Sequence, residues 1–170
     1  MFDNYKEIAG GICAPAGFRA NGVHCGIRKN KLKKDLALIV ADELCSTACA
    51  YTTNLVKGAP ILVTQKNVEN GYAQAVIVNS GNANTCNANG VEIAEGMCAL
   101  VQQHTGVIKE NVVVASTGVI GQELSLDPIA GGMEELCAGL RADNEGSAAA
   151  AEAIMTTDTV KKETAITFGI

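Results

Sequence analysis

Three segments of this chain, Leu36-Ala37-Leu38-Ile39-Val40, Ala75-Val76-Ile77-Val78 and Val112-Val113-Val114-Ala115, are apolar at every position. A strand with one wet face alternates polar and apolar side chains, so unbroken runs like these read as strands covered on both faces. Such strands call for layers above and below, and composition restricts what the layers are made of. Hydrophobic residues make up 48% of the 170 residues, yet aromatics only 4%, and tryptophan is absent. The core is therefore built from Ala, Val, Ile and Leu, with glycine permitting close backbone approach. A chain of this length fits one domain and buries roughly 70% of its unfolded surface.

The first half reads as strands near residues 10–13, 21–28, 35–41, 48–53, 60–64 and 73–79. The second half turns helical. Val91, Ala94, Cys98 and Val101, with Met97 alongside, form the stripe of a helix over about 89–104, with Gly106 as its C-cap. Asp127-Pro128 supplies an N-cap and a proline at the first helical position, opening a helix over 128–141. Its apolar face is Ile129, Met133, Leu136 and Leu140. A third helix is expected over 145–155 and a short strand over 165–168. No repeat, linker or internal boundary interrupts 1–170, so a single domain is expected. Strands first and helices later, with some alternation, predict an α/β (α+β) layered sandwich over a purely doubly wound sheet.

Three polar clusters carry the chemistry, each placed directly after a predicted strand or helix. The run from Val112 passes into Ser116-Thr117-Gly118-Val119-Ile120-Gly121. Ligands of open α/β sheets gather at strand ends. A Thr followed by Gly offers a hydroxyl and an unobstructed backbone N–H side by side, and two donors aimed at one point suit a developing oxyanion. The same residues also fit a strand-to-helix turn that uses glycine for its φ/ψ freedom. The second cluster, Asn79-Ser80-Gly81-Asn82-Ala83-Asn84, reads as a loop with more amide than a turn requires. Amides do not titrate, so Asn79, Ser80, Gly81 and Asn82 are expected to shape a site and to transfer no proton. The third cluster, Thr156-Thr157-Asp158-Thr159, follows an Ala-rich helix.

Charge and cysteine usage narrow the function classes. The net charge is −5, and the one basic stretch, Arg28-Lys29-Asn30-Lys31-Leu32-Lys33-Lys34, reads as a solvated turn between strands. That balance argues against nucleic-acid binding. No apolar run approaches the ~20 residues of a membrane span. The start, Met1-Phe2-Asp3-Asn4-Tyr5-Lys6-Glu7, lacks signal-peptide and transit-peptide patterns, so a cytoplasmic protein is expected. The 7 cysteines include no C-x-x-C pair, so neither a disulfide nor a structural zinc is expected. Cys45 and Cys49, four apart, fit one helical face, whereas Cys98 and Cys137 fall on apolar helix faces and read as small hydrophobes. His24, beside a strand, and His104, near a helix end, read as structural, which leaves no imidazole base for a Ser-His or Cys-His mechanism. No metal or cofactor is expected.

The chain resembles the ornithine acetyltransferase family, also called glutamate N-acetyltransferases, of the arginine pathway. The resemblance rests on Gly10-Gly11-Ile12 with Gly17-Phe18-Arg19-Ala20, Lys34-Asp35-Leu36-Ala37-Leu38-Ile39, and Thr52-Thr53-Asn54 with Ala59-Pro60. It continues through Asn79-Ser80-Gly81-Asn82-Ala83-Asn84, Ser116-Thr117-Gly118-Val119-Ile120-Gly121 and Ile154-Met155-Thr156-Thr157-Asp158-Thr159. These motifs stand in the family's order and cover nearly the whole chain.

The resemblance implies a sandwich of two β layers flanked by helices, like that of autoprocessed acyltransferases and aminopeptidases with an N-terminal Thr or Ser nucleophile. It implies a precursor that cleaves itself before a Thr, leaving an α chain and a β chain whose new N-terminal Thr is the nucleophile. Acetyl passes from N-acetylornithine to that Thr, ornithine leaves, and glutamate takes the acetyl group. Acetyl-CoA stays open as a second donor. The family roles carried onto this sequence are an oxyanion hole at Thr117 and Gly118, and substrate contact at Thr156 with Thr157 as second choice. The implied assembly pairs α and β chains as α2β2.

The sequence departs from the family at its end. Family α chains run on through a Lys-Gly-rich segment to the cleavage point, whereas this sequence stops at Phe168-Gly169-Ile170. The nucleophilic Thr and the substrate-contacting Lys therefore have no counterpart to assign. Val160-Lys161-Lys162 also stands where the family often has Pro before Lys. Three other readings remain: a related autoprocessed aminopeptidase, a non-catalytic partner chain, and a nucleotide-binding module. The last lacks a full G-x-G-x-x-G and the acidic residue that ends the next strand.

Overall fold

A computed structural model describes residues 5–169. In chain order it holds β1 (Tyr5–Ile8), a 3₁₀ turn (Gly11–Cys13), β2 (Phe18–Val23), β3 (Leu36–Ser46), α1 (Ala59–Asn67) and β4 (Tyr72–Asn82). These are followed by α2 (Gly90–Thr105), a 3₁₀ turn (Lys109–Asn111), β5 (Val112–Val119), α3 (Asp127–Ala138), α4 (Asn144–Ala153) and β6 (Ala165–Phe168). Strands β2-β3-β4-β5 form one mixed sheet in that order, and β1 pairs with β6 in a second, two-stranded sheet. The β2/β3 and β3/β4 pairs are antiparallel. The β4/β5 pair is parallel, with α2 in the crossover. The α+β layered class expected from the sequence is the one that forms.

Side-chain alternation divides the sheet into two unequal faces. Leu36, Leu38, Ala75, Ile77, Val112 and Val114 are buried in one cluster with Met97 and Val101 of α2 and Ile129, Met133 and Leu136 of α3. The opposite face carries Ala20 and Ala37, which pack on Ala150 and Ala153 of α4, with Ile39 and Val78 half-covered. This face is made of small residues because α4 sits almost on the backbone. A Cβ added to Gly22 of β2 would lie 2.1 Å from the Ala149 carbonyl oxygen. The unbroken apolar runs of β3 and β4 thus do face two layers, one large and one small.

Several expected elements form differently. The 60–64 run is the helix α1, not a strand: Pro60 lies in its first turn, where the missing N–H costs nothing. Residues 10–13 include a 3₁₀ turn, and 48–53 form no regular element. The strand expected over 21–28 runs over Phe18–Val23. Cys45 belongs to β3 and Cys49 to the loop beyond, so they share no helical face. On α2 the buried stripe takes Ile93 in place of Val91, which is 43% exposed. Helix α3 ends at Ala138, and Asp127 is its first helical residue, not its cap. Leu140, past the helix end, still packs on the core. Cys98 and Cys137 pack where the apolar faces predicted, and burial raises the Cys98 thiol pKa to about 11. Among the described residues, no helix is long and apolar enough to cross a membrane. The reading of the chain's start falls in part on residues 1–4, outside the described residues.

Candidate active site

The two polar clusters at residues 79 and 116 are not turns. Both strands run on through them in parallel, with Ser80 opposite Thr117 and Gly81 opposite Gly118. Glycine is required at both positions. Gly118 has φ +135°, and a Cβ there would lie 2.4 Å from the Gly81 carbonyl carbon. Gly81 has φ +98°, and its missing side chain leaves room for Arg28, whose Cγ would be 2.9 Å from an added Cβ. Two backbones this close tolerate no side chain between them. The turn-like composition serves positive φ at Gly81 and Gly118, and the pairing across strands extends β4 and β5 to Asn82 and Val119 in place of the expected loop and turn.

Behind these strand ends lies a set of buried amides and hydroxyls. Asn79, fully buried, accepts from the Ser116 hydroxyl at 2.6 Å and donates to the Asn82 carbonyl at 2.9 Å. Asn82 donates to the Gln122 and Glu123 carbonyls at 3.0 and 3.3 Å and accepts from the Asn84 N–H at 2.8 Å. Asn84 in turn donates to the Gly90 carbonyl, at the start of α2, at 2.8 Å. The surplus of amide seen in the sequence ties β4 to the loop after β5 and to α2.

Ser80 joins this region to the end of α4. Its hydroxyl donates to the Ala153 carbonyl at 2.5 Å and accepts from Arg28 Nε at 3.2 Å. The Arg28 guanidinium also donates through Nη2 to the Met155 carbonyl. These bonds bring Thr156 and Thr157 against the β4/β5 ends. The result is a cavity of about 430 Å³ lined by Arg28, Gly81, Thr117, Gly118, Val119, Thr156 and Thr157. The predicted pairs Thr117/Gly118 and Thr156/Thr157 thus face one space. Asn79, Ser80 and Asn82 stand behind its wall.

Arg28 was missed. It opens the basic stretch read as a solvated turn, and nothing local separates it from the lysines that follow. Its placement depends on Asp35, a fully buried carboxylate. Asp35 Oδ1 accepts from the Cys25 N–H at 2.6 Å and Oδ2 from the Arg28 N–H at 2.8 Å. His24 Nδ1 lies 3.2 Å from the same Oδ2. Burial first, and then the charge of Asp35, push the Cys25 thiol pKa up to about 12, so this cysteine stays protonated and is no nucleophile near neutrality. Among the described residues, no group of His, Cys, Asp and Glu side chains is arranged to hold a metal ion.

Residues 19–170 match the ArgJ family model. The chain is 47% identical over 160 residues to the arginine biosynthesis bifunctional protein ArgJ of Symbiobacterium thermophilum, an overlap of 93% of this chain and 39% of that protein. It is 40% identical over 164 residues to the Bacillus subtilis protein of the same name, covering 95% of this chain and 39% of that one. The chain therefore spans about two fifths of the length of the curated relatives it matches. Among solved structures, ArgJ from Bacillus halodurans superposes with a TM-score of 0.90 at 40% identity, over 96% of this chain and 85% of that one. Ornithine acetyltransferase from Mycobacterium tuberculosis, solved complexed with ornithine, superposes with a TM-score of 0.87 at 34% identity, over 97% and 94%.

Proposed function

The chain belongs to the ArgJ family, and from that premise we propose that it supplies the oxyanion side of an ornithine acetyltransferase active site. The observation that carries this reading is the convergence of Thr117 and Gly118 with Thr156 and Thr157 on one cavity. Among the described residues, none hydrogen-bonds the hydroxyls of Thr117, Thr156 or Thr157, and all three residues line the cavity.

In the proposed reaction the nucleophile is an N-terminal Thr on a separate β chain, with its own α-amine as base. Its oxygen attacks the acetyl carbonyl of N-acetylornithine. A C–O bond forms, the oxygen of the tetrahedral intermediate takes negative charge, and the Thr117 hydroxyl and Gly118 N–H donate to it. The C–N bond then breaks, the proton passes to the leaving α-amine, and ornithine departs. Glutamate's α-amine attacks the acetyl-Thr ester through the same oxyanion and regenerates the hydroxyl. Thr156, with Thr157 as second choice, contacts the substrate, and the Asn79–Asn82 region holds the wall in shape. Acetyl-CoA is a candidate second donor.

On this reading residues 1–170 are a single domain, the α-chain portion of a cytoplasmic α2β2 enzyme. Ile12, Pro15, Ile39, Val78 and Ile154 line a largely apolar groove of about 350 Å³ on the α4 side of the sheet, which offers the β chain a seat. The test is Thr117→Ala in the complete enzyme. Acetyl transfer from N-acetylornithine to glutamate should fall ~10²–10³-fold with melting unchanged. Turnover within about threefold of wild type is far below the loss typical of an oxyanion donor and would reject the role.

A further inference from the structure

We infer that Asn79, acting through Ser116, is the positioning residue that aims the Thr117 and Gly118 donors, an assignment that rests on the proposed acetyl transfer. Asn79 and Ser116 face each other across β4 and β5, one register step before Ser80/Thr117 and two before Gly81/Gly118. By strand alternation their side chains continue the row of Ala75 and Ile77 on β4 and of Val112 and Val114 on β5. That row is covered by α2 and α3, whereas Thr117 lines the cavity on the other side of the sheet. Asn79, fully buried, therefore acts on the donors from behind and touches no ligand.

The first ground is that the core does not need this pair. An amide buried in an aliphatic row costs free energy unless its hydrogen bonds are made. Replacing a buried polar pair by apolar groups of the same shape is close to neutral. Here both ends of the amide are used. The Asn82 carbonyl can only accept, so Nδ2 must face it, at 2.9 Å. Oδ1 then takes the Ser116 hydroxyl hydrogen, at 2.6 Å. Only one orientation of the amide makes both bonds. What the pair adds over two aliphatic side chains is definition, because hydrogen bonds are directional and apolar contacts are not.

The second ground is where the two bonds fall. Ser116 is the residue before Thr117, and Asn82 is the residue after Gly81. Between them Gly118 lies against Gly81 so closely that an added Cβ would be 2.4 Å from the Gly81 carbonyl carbon. The register also shifts at Asn82, which pairs with both Thr117 and Val119. Irregularities of this kind re-aim the groups beside them. One buried amide thus holds both sides of the Gly81/Gly118 approach.

The third ground is what an oxyanion requires. Donors stabilise a developing charge only when preorganised, to within ~0.5 Å and 10–20°. The same oxyanion forms when acetyl enters the enzyme and when it leaves, so slack in the donors slows both half-reactions alike. kcat then falls while KM holds, as for an interaction made only in the transition state.

The experiment follows acetyl transfer from N-acetylornithine to glutamate in the complete enzyme carrying Ser116→Ala, Ser116→Thr, Asn79→Leu, Thr117→Ala or S116A/T117A together. S116A should lower kcat on the order of 10- to 100-fold, the cost of misplacing a reacting geometry. KM for both substrates should stay within about twofold of wild type. S116T keeps the hydroxyl and should keep most of the activity, and N79L should lose as much as S116A. On the T117A background the loss caused by S116A should shrink at least about threefold, since one of the two donors it aims is gone. Wild-type kcat in S116A overturns the assignment, and so does a rise in KM at constant kcat, which marks a wall of the substrate site. An S116T enzyme as slow as S116A, or S116A and T117A losses that multiply in full, overturns it as well. Should N79L fail to fold, the Ser116 variants decide alone. A T117A enzyme at wild-type turnover would instead reject the proposed oxyanion role itself.

Discussion

Replacing Asp35 by asparagine changes almost no volume and tests how the Arg28 loop is held. Both carboxylate oxygens of Asp35 are engaged by backbone donors, Cys25 N–H at 2.6 Å and Arg28 N–H at 2.8 Å, and the side chain is fully buried. An amide must turn its NH₂ toward one of those N–H groups. One charge-assisted bond is then lost, worth about 1.5–3 kcal/mol, and two donors are left facing each other without water, at about 1–3 kcal/mol more. The sum is a destabilisation of about 2.5–6 kcal/mol, large against the marginal stability of a domain. Urea unfolding of the full-length protein measures it, with Asp42→Asn as control. Asp42 is half-exposed and paired only with Arg19, and its loss should cost less than about 1 kcal/mol. Hydrogen exchange adds a local readout, since the Arg28 amide should lose protection in D35N before the β3 amides do. Equal midpoints for D35N and D42N, or an Arg28 amide still protected, would refute the view that Asp35 sets the Arg28 loop.

Gly118→Ala should destabilise by about 3 kcal/mol or more, since it combines a φ closed to side chains with a backbone clash, whereas Gly71→Ala, at φ +79° with open space around it, should cost about 1–2 kcal/mol; urea midpoints of the pair decide whether the clash matters. Asp143 caps α4 by accepting from Glu145 and Gly146 N–H, and those bonds, Gly146 first, together with Arg141 hold its pKa below the usual value. Its stabilising contribution is therefore complete above about pH 4 and is lost as pH falls through the lowered folded value. The Tm difference between wild type and D143A should be flat from pH 5 to 7 and shrink in stronger acid; a difference that grows with acid contradicts the sign. With burial raising the Cys25 and Cys98 thiols to about 12 and about 11, iodoacetamide at pH 8 should label exposed Cys49 and Cys86 well before either, as read by peptide mass spectrometry.

The helices after residue 89 and the cores of β3, β4 and β5 were legible because their signals are local. Met97, Cys98 and Val101 repeat at helical spacing, Gly106 takes the positive φ of a C-cap, and Leu36 to Val40 needs no partner to declare itself apolar. The Thr117-Gly118 pair and the Thr156-Thr157 pair were also legible as polar clusters at element ends, and they line one cavity. Where local signals conflict, the outcome was not legible. Pro60-Ile61-Leu62-Val63-Thr64 carries strand-forming residues, and a proline in the first turn settles it as α1. Asn79 to Asn82 has turn composition, yet it pairs as strand because β5 lies alongside it.

What the sequence determined by itself is the layered α+β class, the aliphatic core and the chemical kind of each polar cluster, because periodicity and side-chain chemistry act over a few neighbouring residues. What only the tertiary structure decided is which distant groups meet. The Arg28 side chain is held by Ser80 and Met155, 52 and 127 positions away along the chain, and Asn79 reaches Ser116 across 37. Nothing in the residues beside Arg28 encodes those distances. Its conversion from one member of a basic run into a residue that lines the cavity follows from the packing of α4 over β2 and β3, which brings the residues after Ala153 onto the ends of β4 and β5.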